Sequence, residues 1–367
     1  MSARLAVLAA GGTGGHLFPA EALAGALRAR GWRVALVADD ATRAIDGAEV
    51  HGLGLRRMGS GRLSRLLGLA SVAAAVPRAA ALLRRLRPAI AIGFGGYPSV
   101  PTLVAASRAG IPTLVHEQNA VLGRANRLLG RFVARIATSF PATDRMPAGV
   151  PWACVGNPVR EPVRALRGTP YDAAPRDGRF RLLVLGGSQG ARVFSDLVPA
   201  AAAALPGGLR ARIAIAQQAR AEDAERARAA YLGAGVEAEV APFFADVGQR
   251  IAASQLVLCR SGASTCAELA CIGRPALLVP YPHAMDDHQS ANARALERAG
   301  GAWMAPQDAL QPADLAARMA AWMDDPAALA AAAAAMAAAG RPDAAERLAD
   351  EVDALAATRG AGQEKAA

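Results

Sequence analysis

The chain has few aromatic residues, few cysteines and almost no lysine. Aromatic residues make up 4% of its 367 residues and hydrophobic residues 53%, so its cores must be mainly aliphatic. The four cysteines show no CxxC spacing, which argues against a disulfide framework or a zinc site. No apolar run reaches the roughly 18 residues of a membrane-spanning helix. These absences favour a globular protein, and its length of 367 residues indicates about two domains.

Acidic residues are missing from one long stretch of the first half. None occurs between Glu49 and Glu117, where nine arginines do, and residues 1–163 hold 20 arginines against 8 acids. A concentrated positive field is typical of proteins that meet nucleic acid or anionic lipid. No nucleic-acid motif or aromatic interleaving accompanies these arginines, so we expect no nucleic-acid partner.

Residues 56–87 carry much of this positive charge. Leucines recur there at roughly helical spacing with arginines beside them, which predicts a basic amphipathic helix suited to an anionic membrane surface. The alternative is a helix packed on a sheet with its arginines in solvent. The residues predicted to contact the membrane are Arg62, Leu63, Arg65, Leu66, Leu67 and Leu69.

The chain begins with a strand, a glycine turn and a helix. Leu5 to Ala10 predicts a buried parallel strand, residues 11–16 read GGTGGH, and a helix is expected from about Pro19 to Arg30. The first apolar run resembles a signal peptide only superficially because it continues into the turn, so we expect a cytosolic protein. The turn is not in GxGxxG register, although Asp39 and Asp40 after the second strand keep a nicotinamide cofactor as an alternative.

The same pattern returns about 175 residues later. Phe180 to Leu185 is apolar and GGSQGA follows it at 186–191, while residues 156–163 look like an interdomain hinge. This repeat predicts an α/β protein of two doubly wound parallel-sheet domains that face a cleft. We place the domains at 1–158 and 159–341.

Residues 259–289 predict a further strand–turn–helix–strand unit, with its helix over Thr265 to Ile272. The turn and the helix N-terminus offer backbone N–H groups to a phosphate. Thr265 and Glu268 share a helix face, where a carboxylate could accept hydrogen bonds from ribose hydroxyls. The alternative is an ordinary capped helix, with Ser264 as the N-cap and Glu268 near the first turn.

Polar residues at the carboxyl ends of predicted strands could converge on the cleft, because ligands of open parallel sheets bind there. These residues are His16, Tyr97, His116, Glu117 and Asn119.

Six segments in order resemble the MurG family of glycosyltransferases, glycosyltransferase family 28. The likeness spans about residues 5–300. It implies the GT-B fold: two Rossmann-like domains, with a C-terminal helix, here about 342–358, that returns to the N-terminal domain and leaves 359–367 as a frayed tail. The segments are GGTGGH (11–16), GFGGYPS (93–99), HEQN (116–119), GNPVR (156–160), GGSQGA (186–191) and CRSGASTCAE (259–268).

The resemblance also implies an activity and a site. The family transfers N-acetylglucosamine from its UDP donor to an undecaprenyl-linked acceptor in peptidoglycan synthesis, at the cytoplasmic face of the inner membrane. His16 would be the general base, and Tyr97, His116 and Glu117 would lie on the acceptor side. His288 departs from the glutamine of some members. The implied donor-binding residues are Thr13, Gly14, Gly15, Asn119, Arg160, Ser188, Phe244, Ala263, Ser264, Thr265, Glu268 and Gln289.

The expected reaction is attack by the 4-hydroxyl of the acceptor's muramoyl sugar on the anomeric carbon, which displaces UDP with inversion. Such a site needs a base near the hydroxyl and positive groups at the diphosphate. No metal motif of the DxD type occurs in the cleft segments, so we expect no metal and no cofactor. Other cell-wall synthesis and division proteins are expected partners. The alternatives are a UDP-sugar epimerase, a nicotinamide-dependent oxidoreductase and a non-catalytic membrane adaptor.

Overall fold

The computed structural model describes residues 3–38, 45–55, 62–96, 98–187 and 190–364. The chain separates into two compact units. Unit 1 comprises Met1–Arg160 with Arg341–Ala367, and unit 2 comprises Glu161–Gly340. Within the described ranges, no helix is both long and apolar enough to cross a membrane.

Unit 1 is built on a seven-stranded parallel sheet in the order β3-β2-β1-β4-β5-β6-β7. Strand β1 lies in its interior, where Leu8 is in register with Leu36 of β2 on one side and Ile92 of β4 on the other. All five residues of β1 are buried, as expected for a parallel strand covered on both faces. The strands are β1 Leu5–Ala9, β2 Arg33–Ala38, β3 Glu49–Gly52, β4 Ile90–Gly93, β5 Thr113–Glu117, β6 Arg135–Thr138 and β7 Trp152–Cys154.

Unit 2 repeats this architecture with a six-stranded parallel sheet in the order β10-β9-β8-β11-β12-β13. The strand order reverses between β8 and β11, and the predicted phosphate site directly follows β11. Open α/β sheets bind ligands at such a reversal. The strands are β8 Phe180–Leu185, β9 Ile213–Gln218, β10 Glu237–Ala241, β11 Leu256–Cys259, β12 Ala276–Leu278 and β13 Ala302–Met304.

Helices cover both sheets. Two short 3₁₀ turns, Met285–Asp287 and Gln307–Ala309, accompany them. The helices are α1 Gly14–Ala29, α2 Arg62–Leu86, α3 Ser99–Arg108, α4 Arg124–Leu129, α5 Glu161–Arg164, α6 Arg192–Ala204, α7 Gly207–Arg210, α8 Ala221–Gly233, α9 Val247–Ala253, α10 Ala263–Ile272, α11 His288–Arg298, α12 Pro312–Asp324, α13 Pro326–Ala339 and α14 Ala344–Glu364.

The C-terminal helix α14 belongs to the core of unit 1. Leu348 and Val352 are fully buried in the same cluster as Leu23 and Leu27 of α1. This agrees with the predicted return of the last helix to the N-terminal domain. Residues 359–367 were expected to be a frayed tail, but α14 continues as far as Glu364.

The described half of α2 packs on the opposite face of this sheet. Ala75, Ala79 and Leu83 are buried there at four-residue spacing, while Arg84 and Arg85 are exposed. This part of the helix is therefore amphipathic, with its apolar stripe on the sheet and arginines in solvent. Pro77 lies inside one continuous helix.

Helix α1 begins earlier than predicted. Its first residue is Gly14, and Pro19 lies inside the helix instead of starting it. The helix forgoes only the bond that an N–H at position 19 would donate to Gly15. The glycine turn is thus directly continuous with the helix, which brings Gly14, Gly15 and His16 into its first turn.

Candidate active site

In unit 1, the turn after β1 fixes a histidine at the start of α1. Thr13 is the backbone N-cap, and its carbonyl accepts hydrogen bonds from the N–H groups of His16 and Leu17, both at 3.0 Å. The Nδ1 atom of His16 lies 3.2 Å from Oγ1 of Thr13. The imidazole is half-buried, so it keeps access to solvent while the helix sets its position.

Glycines make room for this imidazole on two sides. A Cβ at Gly11 would stand 2.9 Å from Nδ1 of His16, and one at Gly95 would stand 3.2 Å from its Nε2. Gly95 and Gly96 also have φ values of +87° and +77°, a left-handed conformation that favours glycine. The two glycine turns after β1 and β4 therefore meet around His16. Tyr97, predicted on the acceptor side, lies outside the described residues.

His116 at the end of β5 is fully buried, and its ring nitrogens are both bonded. Its Nε2 donates to the carbonyl of Gly156 at 2.9 Å, and its Nδ1 accepts from the amide of Gln118 at 3.0 Å. Burial lowers the pKa of His116 to about 4, and the bond to Gly156 opposes this shift only in part. The side chain is thus a neutral internal link, and its place on the acceptor side stays a prediction.

Glu117 is also buried, at 2% exposure, and its carboxylate organises the loop that follows β5. Oε1 accepts from the backbone and side-chain nitrogens of Asn119, at 2.9 and 3.1 Å. Oε2 accepts from the N–H of Gly123 and from Nδ2 of Asn126, both at 2.8 Å. With four bonds made inside the fold, Glu117 positions Asn119, and its own place on the acceptor side stays a prediction. Sequence reasoning missed Asn126, which has no motif of its own.

Arg160 is the last residue of unit 1, two residues beyond the predicted domain boundary. Its guanidinium carbon lies 3.9 Å from the ring centroid of Phe18 on α1. A Cβ at Gly14 would stand 3.0 Å from the same ring. Phe18 therefore connects Arg160 to the glycine turn, and a cation–π contact holds the guanidinium there.

In unit 2, helix α10 presents its N-terminus directly after β11. Gly262 is the extended N-cap, and the first helical bond runs from the N–H of Cys266 to the carbonyl of Gly262 at 2.9 Å. The N–H groups of Ala263, Ser264 and Thr265 precede that bond, so they have no acceptor within the helix. Such N–H groups at a helix N-terminus are suited to binding an anion.

Ser264 is not the N-cap that one alternative expected. It lies inside the helix, and its buried Oγ has no hydrogen-bond partner within the described part of the chain. Thr265 and Glu268 are both half-buried and lie three residues apart on one side of α10. The backbone thus places a hydroxyl and a carboxylate near the helix N-terminus, as predicted from their spacing.

Gln289 joins two loops at this end of unit 2. Its Oε1 accepts from the N–H of Tyr281 at 2.9 Å, and its backbone carbonyl accepts from Oγ of Ser261 at 2.8 Å. With the side-chain carbonyl engaged, the group that Gln289 offers to a ligand is its amide N–H₂. The neighbouring His288 has Nδ1 2.8 Å from the carbonyl of Met285, to which it donates.

Phe244 is buried under the guanidinium of Arg250, whose carbon lies 4.0 Å from the ring centroid. The ring is therefore structural, and only the backbone at Phe244 could serve a ligand. Ser188, in the glycine turn after β8, lies outside the described residues.

Arg260 is a residue of this region that sequence reasoning did not single out. Its buried guanidinium donates to the carbonyls of Val279 and Pro280, at 3.1 and 3.0 Å, and to Oε1 of Gln307 at 2.6 Å. It holds the end of β12 beside the loop that Gln289 bonds. The signal in the sequence was an arginine placed directly after a buried strand.

The described ranges contain no group of three or more histidine, cysteine, aspartate or glutamate side chains that could hold a metal ion. The site groups are instead an imidazole, backbone amides, a carboxylate and a guanidinium. The amides and carboxylate of unit 2 suit a nucleoside diphosphate, and the imidazole of unit 1 suits a proton transfer.

Comparison with known proteins identifies the class of this fold. Residues 6–138 match the glycosyltransferase family 28 N-terminal domain, and residues 181–348 match the family's C-terminal domain. A crystal structure of MurG from Acinetobacter baumannii is similar with a TM-score of 0.78 and 28% identity, over 96% of this chain and 99% of that one. The fold is therefore GT-B, as predicted.

Two relatives show which members of this family the chain resembles. A protein from Rhodospirillum rubrum is 53% identical over 95% of this chain and 91% of its own length, and one from Rhodospirillum centenum is 52% identical over 96% and 94%. Both are named UDP-N-acetylglucosamine–N-acetylmuramyl-(pentapeptide) pyrophosphoryl-undecaprenol N-acetylglucosamine transferase. The chain belongs to glycosyltransferase family 28.

Proposed function

We propose that this protein transfers N-acetylglucosamine, with inversion, from UDP-N-acetylglucosamine to the 4-hydroxyl of the muramoyl sugar of undecaprenyl-diphosphate-muramoyl-pentapeptide. The observation that carries the proposal is the 53% identity, over nearly the whole length of both chains, to a relative named for this reaction. The glycine turns, helix N-termini and imidazole of the two units supply groups that the reaction needs.

Unit 2 binds the donor in this proposal. The N–H groups at the start of α10 receive the diphosphate, and Glu268 accepts hydrogen bonds from the ribose hydroxyls. The amide of Gln289 donates to a sugar hydroxyl, and the backbone near Phe244 meets the uracil. Ser188 is the remaining residue of unit 2 that contacts UDP-N-acetylglucosamine in this proposal.

Unit 1 supplies the base. His16 takes the proton of the attacking hydroxyl as the bond to the anomeric carbon forms and the bond to UDP breaks. Further contacts with UDP-N-acetylglucosamine come from Thr13, Gly14, Gly15, Asn119 and Arg160. Backbone amides and a guanidinium can neutralise the leaving diphosphate, so we propose that the reaction needs no metal. Turnover should then be unchanged after dialysis against EDTA.

The decisive experiment gives the purified protein labelled UDP-N-acetylglucosamine and the undecaprenyl-linked muramoyl-pentapeptide. Label should move into the lipid fraction, and UDP should be released in equal amount. Epimerised free sugar without transfer would indicate the UDP-sugar epimerase instead. Vesicle binding without any consumption of the donor would indicate the membrane adaptor. Reduction of a nicotinamide cofactor in place of transfer would indicate the oxidoreductase.

We also propose that the protein works peripherally at the cytoplasmic face of the inner membrane, through the N-terminal part of α2. The side chains of Arg62, Leu63, Arg65, Leu66, Leu67 and Leu69 lie outside the described set. The acid-free, arginine-rich sequence around them supports contact with anionic lipid. Contact with other cell-wall synthesis and division proteins at that membrane is part of the same proposal.

Vesicle flotation tests the membrane contact. The protein should float with vesicles of phosphatidylglycerol and phosphatidylethanolamine but stay unbound with phosphatidylcholine alone. The double variant Arg62→Glu/Arg65→Glu should lose binding. The matched control, Arg84→Glu/Arg85→Glu, reverses the same charge at the other end of α2 and should still float. Equal loss in both variants would show a general effect of net charge and no local contact.

A further inference from the structure

Asn157 carries a buried amide that the fold leaves unpaired. The residue is 7% exposed, and within the described part of the chain neither its Nδ2 nor its Oδ1 has a hydrogen-bond partner. Native structures pair the great majority of their buried polar groups, because an unpaired one destabilises the fold. Folding alone therefore gives no reason for an amide at this position.

The loop that carries Asn157 is held firmly. The preceding carbonyl, of Gly156, accepts the bond from Nε2 of His116 at 2.9 Å. Gly156 has a φ of +91°, and a Cβ there would stand 2.6 Å from the Cβ of Arg341 and 3.0 Å from that of Ala344. Asn157 is thus set in place three residues after the end of β7, on the side of the sheet where parallel strands present ligand-binding residues.

A second unpaired amide oxygen belongs to Asn126, whose side chain contacts the backbone carbonyl of His116. Asn126 is 3% exposed, and its Nδ2 donates to Oε2 of Glu117 at 2.8 Å and to the carbonyl of His116 at 3.4 Å. Its Oδ1 has no partner among the described residues. Two buried amides with unpaired oxygens therefore belong to the same part of unit 1, one bonded to the backbone of His116 and the other next in sequence to Gly156, which accepts from the His116 ring. Such a concentration of unmet hydrogen-bonding capacity points to a ligand.

We propose that Asn157 is a binding residue for a sugar moiety of a substrate, a role that rests on the proposed transferase function. Its amide has both a donor and an acceptor to satisfy. An ionised diphosphate offers acceptors only and would leave Oδ1 unpaired. Sugar hydroxyls and the N–H of an acetamido group can donate to Oδ1, and the hydroxyls can also accept from Nδ2. Both substrates carry such groups, so the kinetic test must separate them.

The test compares Asn157→Leu with the wild type. Leucine has nearly the same shape as asparagine but no polar atoms, so it removes the unpaired groups without opening a cavity. The unfolding temperature without substrate should stay the same or rise. The kcat/KM should fall by about tenfold or more, the size of one or two lost hydrogen bonds. The substrate whose kcat/KM falls further, UDP-N-acetylglucosamine or the lipid acceptor, is the one that Asn157 binds.

Gln255→Leu is the matched control. Gln255 is another buried amide, at 4% exposure, but it is fully paired: Oε1 accepts from the N–H of Arg181 at 2.8 Å and Nε2 donates to the carbonyl of Asp172 at 2.9 Å. It precedes β11, at the opposite end of a strand from the ligand-binding side. This variant should unfold at a lower temperature and keep the wild-type kcat/KM for both substrates.

Wild-type kcat/KM for both substrates in Asn157→Leu would overturn the proposal, whatever its unfolding temperature, and would indicate an amide that holds a buried water. If the leucine variant does not fold, Asn157→Ala is measured in the same way, and wild-type kinetics in that variant would overturn the proposal equally. Failure of the proposed function looks different, because the wild-type protein itself would then transfer no sugar to the lipid.

Discussion

The Nδ1 atom of His16 lies 3.2 Å from the Oγ1 atom of Thr13, within the first turn of α1. When Nδ1 carries the proton and donates to this hydroxyl, Nε2 is the ring nitrogen that carries the lone pair. A Cβ at position 95 would stand 3.2 Å from Nε2, so Gly95 leaves the space beside that atom open. The contact with Thr13 therefore fixes the orientation of the imidazole, and the tautomer with the proton on Nδ1 is the one that a general base acting through Nε2 requires.

Replacing His16 with alanine should lower kcat by about 10²- to 10⁴-fold, the range typical of a lost general base. The Kd for UDP should change little, because the proposed role of His16 is to take a proton from the acceptor hydroxyl and not to bind the nucleotide. Steady-state transfer assays and calorimetric titration with UDP measure the two quantities. His283→Ala, on an exposed side chain, is the control and should retain wild-type kcat. An undiminished kcat in His16→Ala would remove this residue as the base.

Thr13→Val tests the tautomer directly. Valine keeps the shape of threonine but loses the hydroxyl that contacts Nδ1 of His16, so we expect kcat to fall by about tenfold, as for one lost hydrogen bond. Thr13→Ser keeps the hydroxyl and should stay near the wild type. Thr13 was also predicted to bind the donor. A rise in the KM for UDP-N-acetylglucosamine with unchanged kcat would favour that role over the positioning of His16.

Much of the fold could be predicted because buried parallel strands are continuous apolar runs. Phe180–Leu185 was placed at its observed bounds, and β1 within one residue. The strands that were not predicted are short, and β3 and β7 are poorly buried, with Glu49 and Trp152 exposed. Sheet neighbours, not their own composition, make these segments strands.

The site was predictable where a backbone motif defines it and less so where burial does. The glycines in these turns predicted where His16 and the start of α10 lie, since close backbone approach requires glycine. His116 and Glu117 share one motif with Asn119, and nothing in the letters HEQN separates inward-facing from outward-facing side chains. Their burial depends on Gly156, Gly123 and Asn126, which lie elsewhere in the chain. Partners that lie far apart in the sequence produce no periodic pattern in the HEQN segment, so its burial could not be predicted from the sequence.

Glu268→Gln tests the proposed ribose contact. A carboxylate accepts from two hydroxyls, whereas glutamine keeps the shape but replaces one acceptor oxygen with a donor. The affinity for UDP should fall by about tenfold, as expected for a lost hydrogen bond to a charged group. Wild-type protein should bind 2′-deoxy-UDP more weakly than UDP, and the variant should show little difference between them. Undiminished discrimination in Glu268→Gln would place the ribose elsewhere.

The buried imidazole of His116 makes stability depend on pH. Burial lowers the pKa of His116 to about 4 in the folded protein, against about 6.5 in an unfolded chain. The unfolded state therefore binds a proton over a pH range in which the folded state does not. The stabilisation by the neutral ring is complete above pH 6.5 and is lost as the pH falls toward 4, at a cost of about 3 kcal/mol at most.

His116→Gln should remove this dependence. Glutamine can still donate to the carbonyl of Gly156 but does not titrate, so we expect lower stability than the wild type at pH 7.5 and a difference that narrows by about 3 kcal/mol at most toward pH 4. Urea unfolding at several pH values, followed by circular dichroism, measures the difference. His283→Gln, on an exposed ring, should keep the wild-type slope. Parallel pH profiles for His116→Gln and the wild type would mean that the ring titrates alike in the folded and unfolded states, contrary to its burial.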